Sequence, residues 1–358
     1  MKQHSHTISI AGREIGSQFP PYVVAEMSGN HNGDINRAFA IMEAAKDAGA
    51  DAIKLQTYTA ETITIDCDGP GFQISEGLWK GRTLFELYGE AHTPWEWHEA
   101  LFAKGKELGI TVFSSPFDPT SIELLESLDA PAYKIASFEI VDIPLIEKAA
   151  ATGKPLIIST GMASQQEAHD AVMAARKAGN GGVILLHCTS GYPTPVQDAN
   201  LVTMSQLAED FEVAVGLSDH TYGTVVSVAA TALGACFIEK HFTLSRADGG
   251  PDADFSLEPA ELLALTTDCR AAWLARGEVN YGAAGSEKGS VEFRRSLYAV
   301  KDIAAGEVFT ETNTRSIRPG YGLKPVHLYE IIGSKAVVDI KRGTPMQWSL
   351  IEETSPNT

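Results

Sequence analysis

Short apolar runs rich in β-branched residues recur along the first three quarters of the chain, each followed by a stretch with the apolar spacing of a helix. The helical stretches include Asn36–Ala48 and Trp95–Leu108, and glycine often stands where one ends, as at Gly49 and Gly109. We predict strands over Tyr22–Met27, Ala52–Tyr58, Thr111–Phe117, Ala132–Ser137, Pro155–Gly161, Val183–Thr189, Val213–His220 and Cys236–Phe242.

The predicted strands are apolar on both faces, which is typical of a parallel sheet covered by helices. Eight strand–helix units are the number that closes a barrel, and a length of about 250 residues is usual for one. The alternative is a doubly wound open sheet, which is less favoured because no glycine-rich dinucleotide fingerprint follows any strand. We therefore predict an α/β fold, a (β/α)8 TIM barrel.

Two segments interrupt this regularity. Thr59–Thr93 separates the second strand from its helix, and loops this long inside a domain are usually functional. Gly277–Ser290 is rich in glycine and serine, and beyond it Lys301–Phe309 and Val338–Met346 share a D-I-x-x-G core that predicts a small β-rich domain. Such a domain is near the lower size limit for independent stability, so we expect it to lean on the barrel or on another subunit. The predicted division is barrel 1–280, linker 281–294 and β-rich domain 295–358.

Composition limits the classes of function. The formal charge of −18 argues against nucleic acid or a membrane surface as the main partner. The four cysteines are far apart with no CxxC pair, which favours reduced thiols in the cytoplasm over a disulfide framework. The polar N-terminus lacks the apolar region of a secretory signal, and the most apolar stretch, Val225–Ile238, is too short to span a membrane. We expect a cytoplasmic protein.

Two lysines lie inside predicted strands, where a charge is costly unless it is paired or functional. Lys54 and Lys134 could each be a snorkelling residue or one half of a buried ion pair. Barrel chemistry takes place at the carboxyl ends of the strands, and serine and threonine stand at several neighbouring strand ends. Two lysines with surrounding hydroxyl groups favour a site for an anion such as phosphate.

Two histidines end the seventh and eighth predicted strands, which are neighbours in a barrel. His220 and His241 could hold one divalent ion, with Glu239 on the same face as His241; equally, each could be a hydrogen-bonded core residue. Imidazole with oxygen ligands and open positions suits Mn²⁺ better than a structural zinc site. Among the other histidines, we predict His98 at the surface and His187 in the core.

Eight strings of residues follow one another in the order of a known family. They are AEMSGNHNG (Ala25–Gly33), GADAIKLQTY (Gly49–Tyr58), SSPF (Ser114–Phe117), YKIAS (Tyr133–Ser137), STGM (Ser159–Met162), HCTSGYPTP (His187–Pro195), GLSDHT (Gly216–Thr221) and IEKHFT (Ile238–Thr243). Together they resemble the N-acetylneuraminate synthase family. The tail, with RSLYAVKDIAAGE and SIRPGYGL, resembles the antifreeze-like (SAF) domain of that family.

The resemblance implies an enzyme that condenses phosphoenolpyruvate with an amino-sugar aldehyde, a transferase that forms a carbon–carbon bond. It implies a domain-swapped homodimer in which Arg318 of the SAF domain reaches the partner's active site. Mn²⁺, or Mg²⁺ or Co²⁺, would be bound by His220 and His241, and Glu26 would be an acid/base group. The implied phosphoenolpyruvate contacts are Lys54, Gln56, Lys134, Ser137, Ser159, Ser190 and Ser218, and the implied sugar contacts are Glu139, Tyr192, Asp252 and Arg318.

Within the family, Gly77–His98 and Arg295–Ile303 are most similar to the pseudaminic acid branch, whose sugar is 2,4-diacetamido-2,4,6-trideoxy-altrose. Sialic acid synthases typically have asparagine at the position of Ser190, so this departure argues against N-acetylmannosamine. A sialic or legionaminic acid synthase is the nearest alternative. A 3-deoxy-sugar-acid synthase is opposed by the SAF tail, and a carbohydrate- or ice-binding protein is opposed by the two strand lysines.

Overall fold

The computed structural model describes residues 6–352 as two compact units, the first ending at Gly277 and the second beginning at Glu278. The outermost residues of the two predicted domains, 1–5 and 353–358, lie outside the described residues. Within residues 6–352, no helix combines the length and the apolar character that crossing a membrane requires. The first unit opens with an antiparallel hairpin of β1 (Ile8–Ile10) and β2 (Arg13–Ile15).

Eight parallel strands then close into a barrel, in which each strand pairs with its neighbours in sequence and the last pairs with the first. The predicted TIM barrel is confirmed, and the open sheet is excluded by this closure. The strands are shorter than predicted, the fourth and the fifth most of all. They are β3 (Tyr22–Glu26), β4 (Ala52–Thr57), β5 (Thr111–Pro116), β6 (Tyr133–Ile135), β7 (Leu156–Ser159), β8 (Val183–Cys188), β9 (Ala214–Asp219) and β10 (Phe237–His241).

Helices follow the strands, and their ends carry the expected signals. Asp118 begins one helix by accepting hydrogen bonds from the backbone of Thr120 at 2.9 Å and of Ser121 at 3.1 Å. Gly109 ends another with a φ of +64°. The helices are α1 (Ile35–Asp47), α2 (Ala60–Ile63), α3 (Leu84–Ala91), α4 (His98–Leu108), α5 (Pro119–Ser127), α6 (Ile143–Ala150), α7 (Gln165–Ala178), α8 (Val202–Phe211), α9 (Val225–Leu233) and α10 (Pro259–Arg276).

The barrel interior is filled with apolar side chains toward the amino ends of the strands. Val24, Phe113 and Ile157 belong to this cluster, and the β1–β2 hairpin adds Ile10 and Ile15 to it. A second and larger cluster lies between the strands and the helices. The amino end of the barrel is therefore packed, which leaves the carboxyl end for polar groups.

Two histidines outside the barrel end test the predicted positions. His187 is buried as predicted, with Nε2 at 2.7 Å from the carbonyl oxygen of Ala199. The surface prediction for His98 is wrong: its side chain is buried, and Nε2 lies 2.8 Å from the Thr57 hydroxyl. Helical spacing predicted the helix, but His98 is its first residue and faces strand β4.

The second unit has its own apolar core around a short antiparallel pair. The pair is β11 (Ser296–Ala299) and β12 (Thr314–Ile317), and a single turn, α11 (Leu328–Ile331), follows. The core includes Leu297, Phe309 and Met346. The preceding stretch, Gly285–Phe293, forms exposed 3₁₀ turns.

The D-I-x-x-G repeat pairs with itself across a local two-fold axis. Ile303 and Ile340 exchange both backbone hydrogen bonds, each 2.8 Å long. The aspartate of each copy accepts the backbone N–H that precedes the glycine of the other copy. The equivalent pairs are Asp302 with Arg342 and Asp339 with Ala305, each at 2.8 Å.

Candidate active site

The two strand lysines share two buried carboxylates at the carboxyl end of the barrel. Lys54 Nζ lies 2.6 Å from Glu26 Oε2 and 3.8 Å from Glu239 Oε1. Lys134 Nζ lies 3.5 Å from the same oxygen of Glu239. All four side chains are buried, so two positive and two negative charges balance one another where water is scarce.

The pKa values of the two carboxyl groups are shifted in opposite directions. Burial raises the pKa of Glu26 to about 7, although the charge of Lys54 opposes this shift. Burial acts in the same direction on Glu239, but Lys134 and Lys54 outweigh it and lower the pKa of that group. Gln56 donates to Glu26 Oε1 at 2.9 Å. Glu26 is thus the carboxyl group that can gain or lose a proton near neutral pH, while Glu239 stays ionised.

Hydroxyl groups stand at the carboxyl ends of four successive strands, β6 to β9. A methyl group added at Gly161 would lie 2.4 Å from Ser190 Oγ and 2.6 Å from Ser137 Oγ, so both hydroxyls face one small space. Ser159 Oγ is buried without a hydrogen-bond partner. Ser218 Oγ donates to Glu239 Oε1 at 3.1 Å. Glu239 thus connects Ser218 with the two lysines, and the Ser159 hydroxyl remains available to a ligand.

The two histidines are side by side, with ring centroids 5.4 Å apart. His220 Nδ1 lies 3.0 Å from the carbonyl oxygen of Thr189, which leaves Nε2 available for a ligand. His241 Nδ1 is buried without a hydrogen-bond partner, and burial holds the pKa of His241 well below its usual range. A neutral imidazole with a free ring nitrogen is what a divalent ion requires, and His241 meets this condition. Burial would lower the pKa of His220, but the neighbouring Cys188 outweighs it and raises that pKa, so His220 must lose its proton when an ion binds.

Glu239 binds the lysines and Ser218 through Oε1, and its Oε2 is buried without a hydrogen-bond partner. Within residues 6–352, no group of three histidine, cysteine, aspartate or glutamate side chains is arranged to hold a metal ion. An ion at His220 and His241 would therefore complete its coordination with water and substrate oxygens, as open catalytic sites do.

Residues predicted to contact the sugar line the same end of the barrel. The ring of Tyr192 lies 4.4 Å from that of His220 and 5.4 Å from that of Phe255. Asp252 accepts a hydrogen bond from Ser28, and its Oδ2 lies 3.8 Å from His241 Nδ1. The structure thus brings Tyr192 and Asp252 to the histidine pair.

Glu139 and Arg318, the two other predicted sugar contacts, lie in different units and differ in burial. Glu139 follows β6, and burial raises its pKa to about 7 although Lys134 opposes that shift. Its Oε2 is buried without a hydrogen-bond partner. Arg318 follows β12 in the second unit and is exposed. Its contact with a partner subunit stays a prediction.

Sequence reasoning assigned no role to several residues that support the site. Lys240 and Asp219 form a buried ion pair with a 2.9 Å separation, directly beside His241 and His220 in sequence. Cys188 Sγ lies 3.8 Å from His220 Nδ1. A usable signal was present, because a charged residue between two inward-facing residues of a buried strand must point outward and needs a partner there.

The long segment after β4 also contributes to the site. Trp79 Nε1 donates to the carbonyl oxygen of Pro251 at 2.8 Å, next to Asp252 in sequence. The indole ring lies 5.8 Å from the ring of Tyr192. The segment therefore bends over the mouth of the barrel as far as the loop that follows β10.

The closed barrel, with buried lysines, carboxylates and imidazoles gathered at the carboxyl ends of its strands, is the arrangement of a (β/α)8-barrel enzyme. The chain belongs to the NeuB family, whose model matches residues 41–281, and a SAF domain model matches residues 294–352. The resemblance found in the sequence is thereby confirmed.

Named relatives place the chain within that family. It is 45% identical over 337 residues to the pseudaminic acid synthase of Helicobacter pylori, covering 94% of this chain and 99% of that protein. The N,N'-diacetyllegionaminic acid synthase of Campylobacter jejuni is 38% identical, over 89% of this chain and 96% of its own length. The crystal structure of a sialic acid synthetase from Leptospira borgpetersenii superimposes with a TM-score of 0.72 at 33% identity, covering 80% of this chain and 96% of that one.

Proposed function

We propose that the chain condenses phosphoenolpyruvate with 2,4-diacetamido-2,4,6-trideoxy-altrose to give pseudaminic acid and phosphate. The observation that carries the proposal is the buried pair of lysines beside two neighbouring histidines at the mouth of the barrel. The higher identity to pseudaminic acid synthases than to a legionaminic acid synthase supports the choice of sugar.

Phosphoenolpyruvate binds at the lysine end of the site. Lys54 and Lys134 supply positive charge to its phosphate and carboxylate, and the neighbouring hydroxyls and Gln56 supply directed donors. The anion shares the two lysines with Glu239, while Glu26 stays beside Lys54. The hydroxyl donors are Ser137, Ser159, Ser190 and Ser218.

His220 and His241 hold a divalent ion, Mn²⁺ in preference to Mg²⁺ or Co²⁺. When bound, the ion supplies a Lewis acid for the aldehyde oxygen of the open-chain sugar. Tyr192, Asp252 and Glu139 hold the sugar so that its aldehyde carbon faces C3 of phosphoenolpyruvate, which is a positioning effect.

A bond then forms between C3 of phosphoenolpyruvate and the aldehyde carbon. Water adds at C2, and phosphate leaves with cleavage of the C2–O bond. Glu26, with a pKa raised by burial to about 7, can give a proton to the new hydroxyl oxygen or take one from the water. Lys54, 2.6 Å from Glu26, keeps the carboxyl group aimed at the reacting carbons.

The working form is a cytoplasmic, domain-swapped homodimer in which Arg318 completes the sugar site of the partner subunit. Exposed apolar side chains stand in four successive loops at the carboxyl end of the barrel, which supports a covering partner there. They are Phe138, Met162, Val196 and Tyr222.

Phosphate release tests the proposal directly. The purified protein is given phosphoenolpyruvate, Mn²⁺ and, in parallel, the altrose sugar, its legionaminic counterpart or N-acetylmannosamine, with and without EDTA. Release with the altrose sugar alone, abolished by EDTA, is the expected result. Release with another sugar alone would move the protein to a sister branch, and release with none would contradict the catalytic proposal.

A further inference from the structure

A line of aromatic rings leads away from the histidine pair. The centroid of Tyr192 lies 4.4 Å from that of His220, and the centroid of Trp79 lies 5.8 Å from that of Tyr192. Tyr192 also packs against Phe255, so the rings form one apolar group beside the position of the aldehyde. Trp79 is half-buried, which leaves part of its ring surface available to a ligand.

The indole of Trp79 has no polar group left for a ligand. Its single donor, Nε1–H, is bound to the carbonyl oxygen of Pro251 at 2.8 Å, and an indole has no acceptor. The same hydrogen bond fixes the ring next to Asp252, a residue of the sugar site. An apolar group of the substrate can meet this ring at no cost in hydrogen bonds, whereas a hydroxyl group finds no conventional donor or acceptor there.

We infer that Trp79 determines specificity for a 6-deoxy sugar by contacting the C6 methyl group. The inference rests on the proposed function, which sets the aldehyde end of the sugar at His220 and His241. The opposite end of the sugar then extends along Tyr192 toward Trp79. A hydroxymethyl group there would lose its hydration without gaining a hydrogen bond, which disfavours a 6-hydroxy sugar.

A purely structural role for Trp79 predicts something different. If the residue only ties the long segment to the loop after β10, its loss would disturb the mouth of the barrel for every sugar. Turnover of 6-deoxy and 6-hydroxy sugars would then fall by the same factor. The ratio of the two specificity constants separates the roles, because it cancels effects common to both sugars.

The experiment compares 2,4-diacetamido-2,4,6-trideoxy-altrose with the otherwise identical sugar that keeps its 6-hydroxyl group. The kcat/KM ratio is measured for the wild type, Trp79→Ala and Trp79→Phe. Trp273→Phe is the matched control, since its Nε1 also donates to a backbone carbonyl, that of Ser17 at 3.3 Å. Thermal unfolding verifies that each variant folds. If Trp79→Ala fails to fold, Trp79→Phe still tests the inference, because it keeps an aromatic surface at this position.

We expect the wild type to prefer the 6-deoxy sugar by about 10- to 100-fold, the range that an apolar pocket achieves against an added hydroxyl. Trp79→Ala should lower that preference about tenfold, Trp79→Phe should retain part of it, and Trp273→Phe should leave it unchanged. An unchanged ratio in Trp79→Ala, or equal use of both sugars by the wild type, overturns the inference while the synthase activity stands. If the wild type turns over neither sugar, the proposed function falls and the inference falls with it.

Discussion

At the scale of single residues, Glu26 combines burial with a lysine partner and an amide donor. Burial raises its pKa to about 7 even though Lys54 lies 2.6 Å away and Gln56 donates to its other oxygen. Below that pH the group is a hydrogen donor, and above it the group is a base. A carboxyl group in this range can serve in both directions of proton transfer at physiological pH.

Replacement of Glu26 by glutamine should remove this proton transfer and keep the shape of the side chain. We expect kcat to fall by about 10²- to 10⁴-fold, the usual contribution of a general acid or base. The pH profile of kcat/KM in the wild type should bend near pH 7, and that bend should be absent in Glu26→Gln. Initial rates of phosphate release between pH 5.5 and 9 provide the measurement. A variant that keeps the bend would show that another group titrates.

His241→Ala should abolish binding of Mn²⁺ because one of two imidazole ligands is lost. Binding is measured without substrate, by titration calorimetry or by the electron paramagnetic resonance signal of free Mn²⁺. The exposed His169, changed to alanine, is the control. Equal affinity in the wild type and in His241→Ala would refute the metal site independently of any activity.

Much of the site was predictable at this scale, and the pairings within it were not. Lys54, Lys134 and the two histidines stand at strand ends, and period-two alternation turns them inward. Whether Glu239 would join His241 or the lysines depends on the tilt of β10 against β9 and on the reach of Lys134, a residue on the opposite side of the barrel. Neither the tilt of the strand nor the reach of the lysine follows from local residue spacing. The sequence could therefore only place Glu239 on the same face as His241.

At the scale of elements, β9 and β10 are joined behind the histidines by a buried ion pair. Asp219 Oδ2 lies 2.9 Å from Lys240 Nζ and 2.6 Å from the hydroxyl of Ser227, and its Oδ1 accepts from Thr221. Each member is adjacent in sequence to one histidine. The pair therefore sets the relative position of the two strand ends from the outer face of the barrel wall.

Lys240→Met should be costly because it leaves the Asp219 charge buried without its counter-ion. We expect a loss of about 3 kcal/mol in the free energy of unfolding and weaker Mn²⁺ binding. The double variant Asp219→Asn/Lys240→Met should regain part of the stability, because no buried charge is then left without a partner, while Mn²⁺ binding stays weak. Lys148→Met, which breaks the exposed pair with Glu123, should cost less than about 1 kcal/mol. Denaturant titrations check the stabilities, and full Mn²⁺ affinity in the double variant would contradict a positioning role.

The elements themselves were largely predictable, since eight apolar runs with helices between them allow few folds. The long segment was predicted as functional, but its path was not. Trp79 meets the carbonyl of Pro251, a residue 172 positions later in the chain, and Gly29 allows Pro251 to approach the first barrel strand closely. Such contacts arise from the closure of the barrel and leave no periodic signal in the sequence.

At the scale of the whole molecule, the second unit carries Arg318 on its exposed surface and a core built from two paired repeats. The division of the chain into a barrel and a small β unit follows from the change in texture after the glycine-rich stretch. The way in which two subunits combine depends on surface residues, and these carry no regular apolar pattern in the sequence. The domain-swapped dimer therefore remains a proposal.

Mixing two inactive variants tests whether Arg318 acts on the partner subunit. His241→Ala has a defective barrel and an intact Arg318, while Arg318→Ala has the reverse. If the arginine acts in trans, a mixed dimer contains one complete site, and equal mixing after subunit exchange should restore roughly a quarter of wild-type phosphate release. Mixing that restores nothing, with exchange verified by tagged subunits, would mean that Arg318 acts within its own chain or not at all.

The packed amino end of the barrel imposes an order of substrate binding and product release on the proposed reaction. Because the β1–β2 hairpin adds its isoleucines to the apolar filling, both substrates must use the carboxyl end. Lys54 and Lys134 lie within strands, whereas Tyr192 and Trp79 lie on the loops beyond them. In the proposed reaction the sugar would therefore bind above the phosphoenolpyruvate. Phosphoenolpyruvate should therefore bind first and phosphate should leave last. Product-inhibition kinetics should show phosphate competing with phosphoenolpyruvate and not with the sugar, because substrates and products enter and leave through the same open end of the barrel.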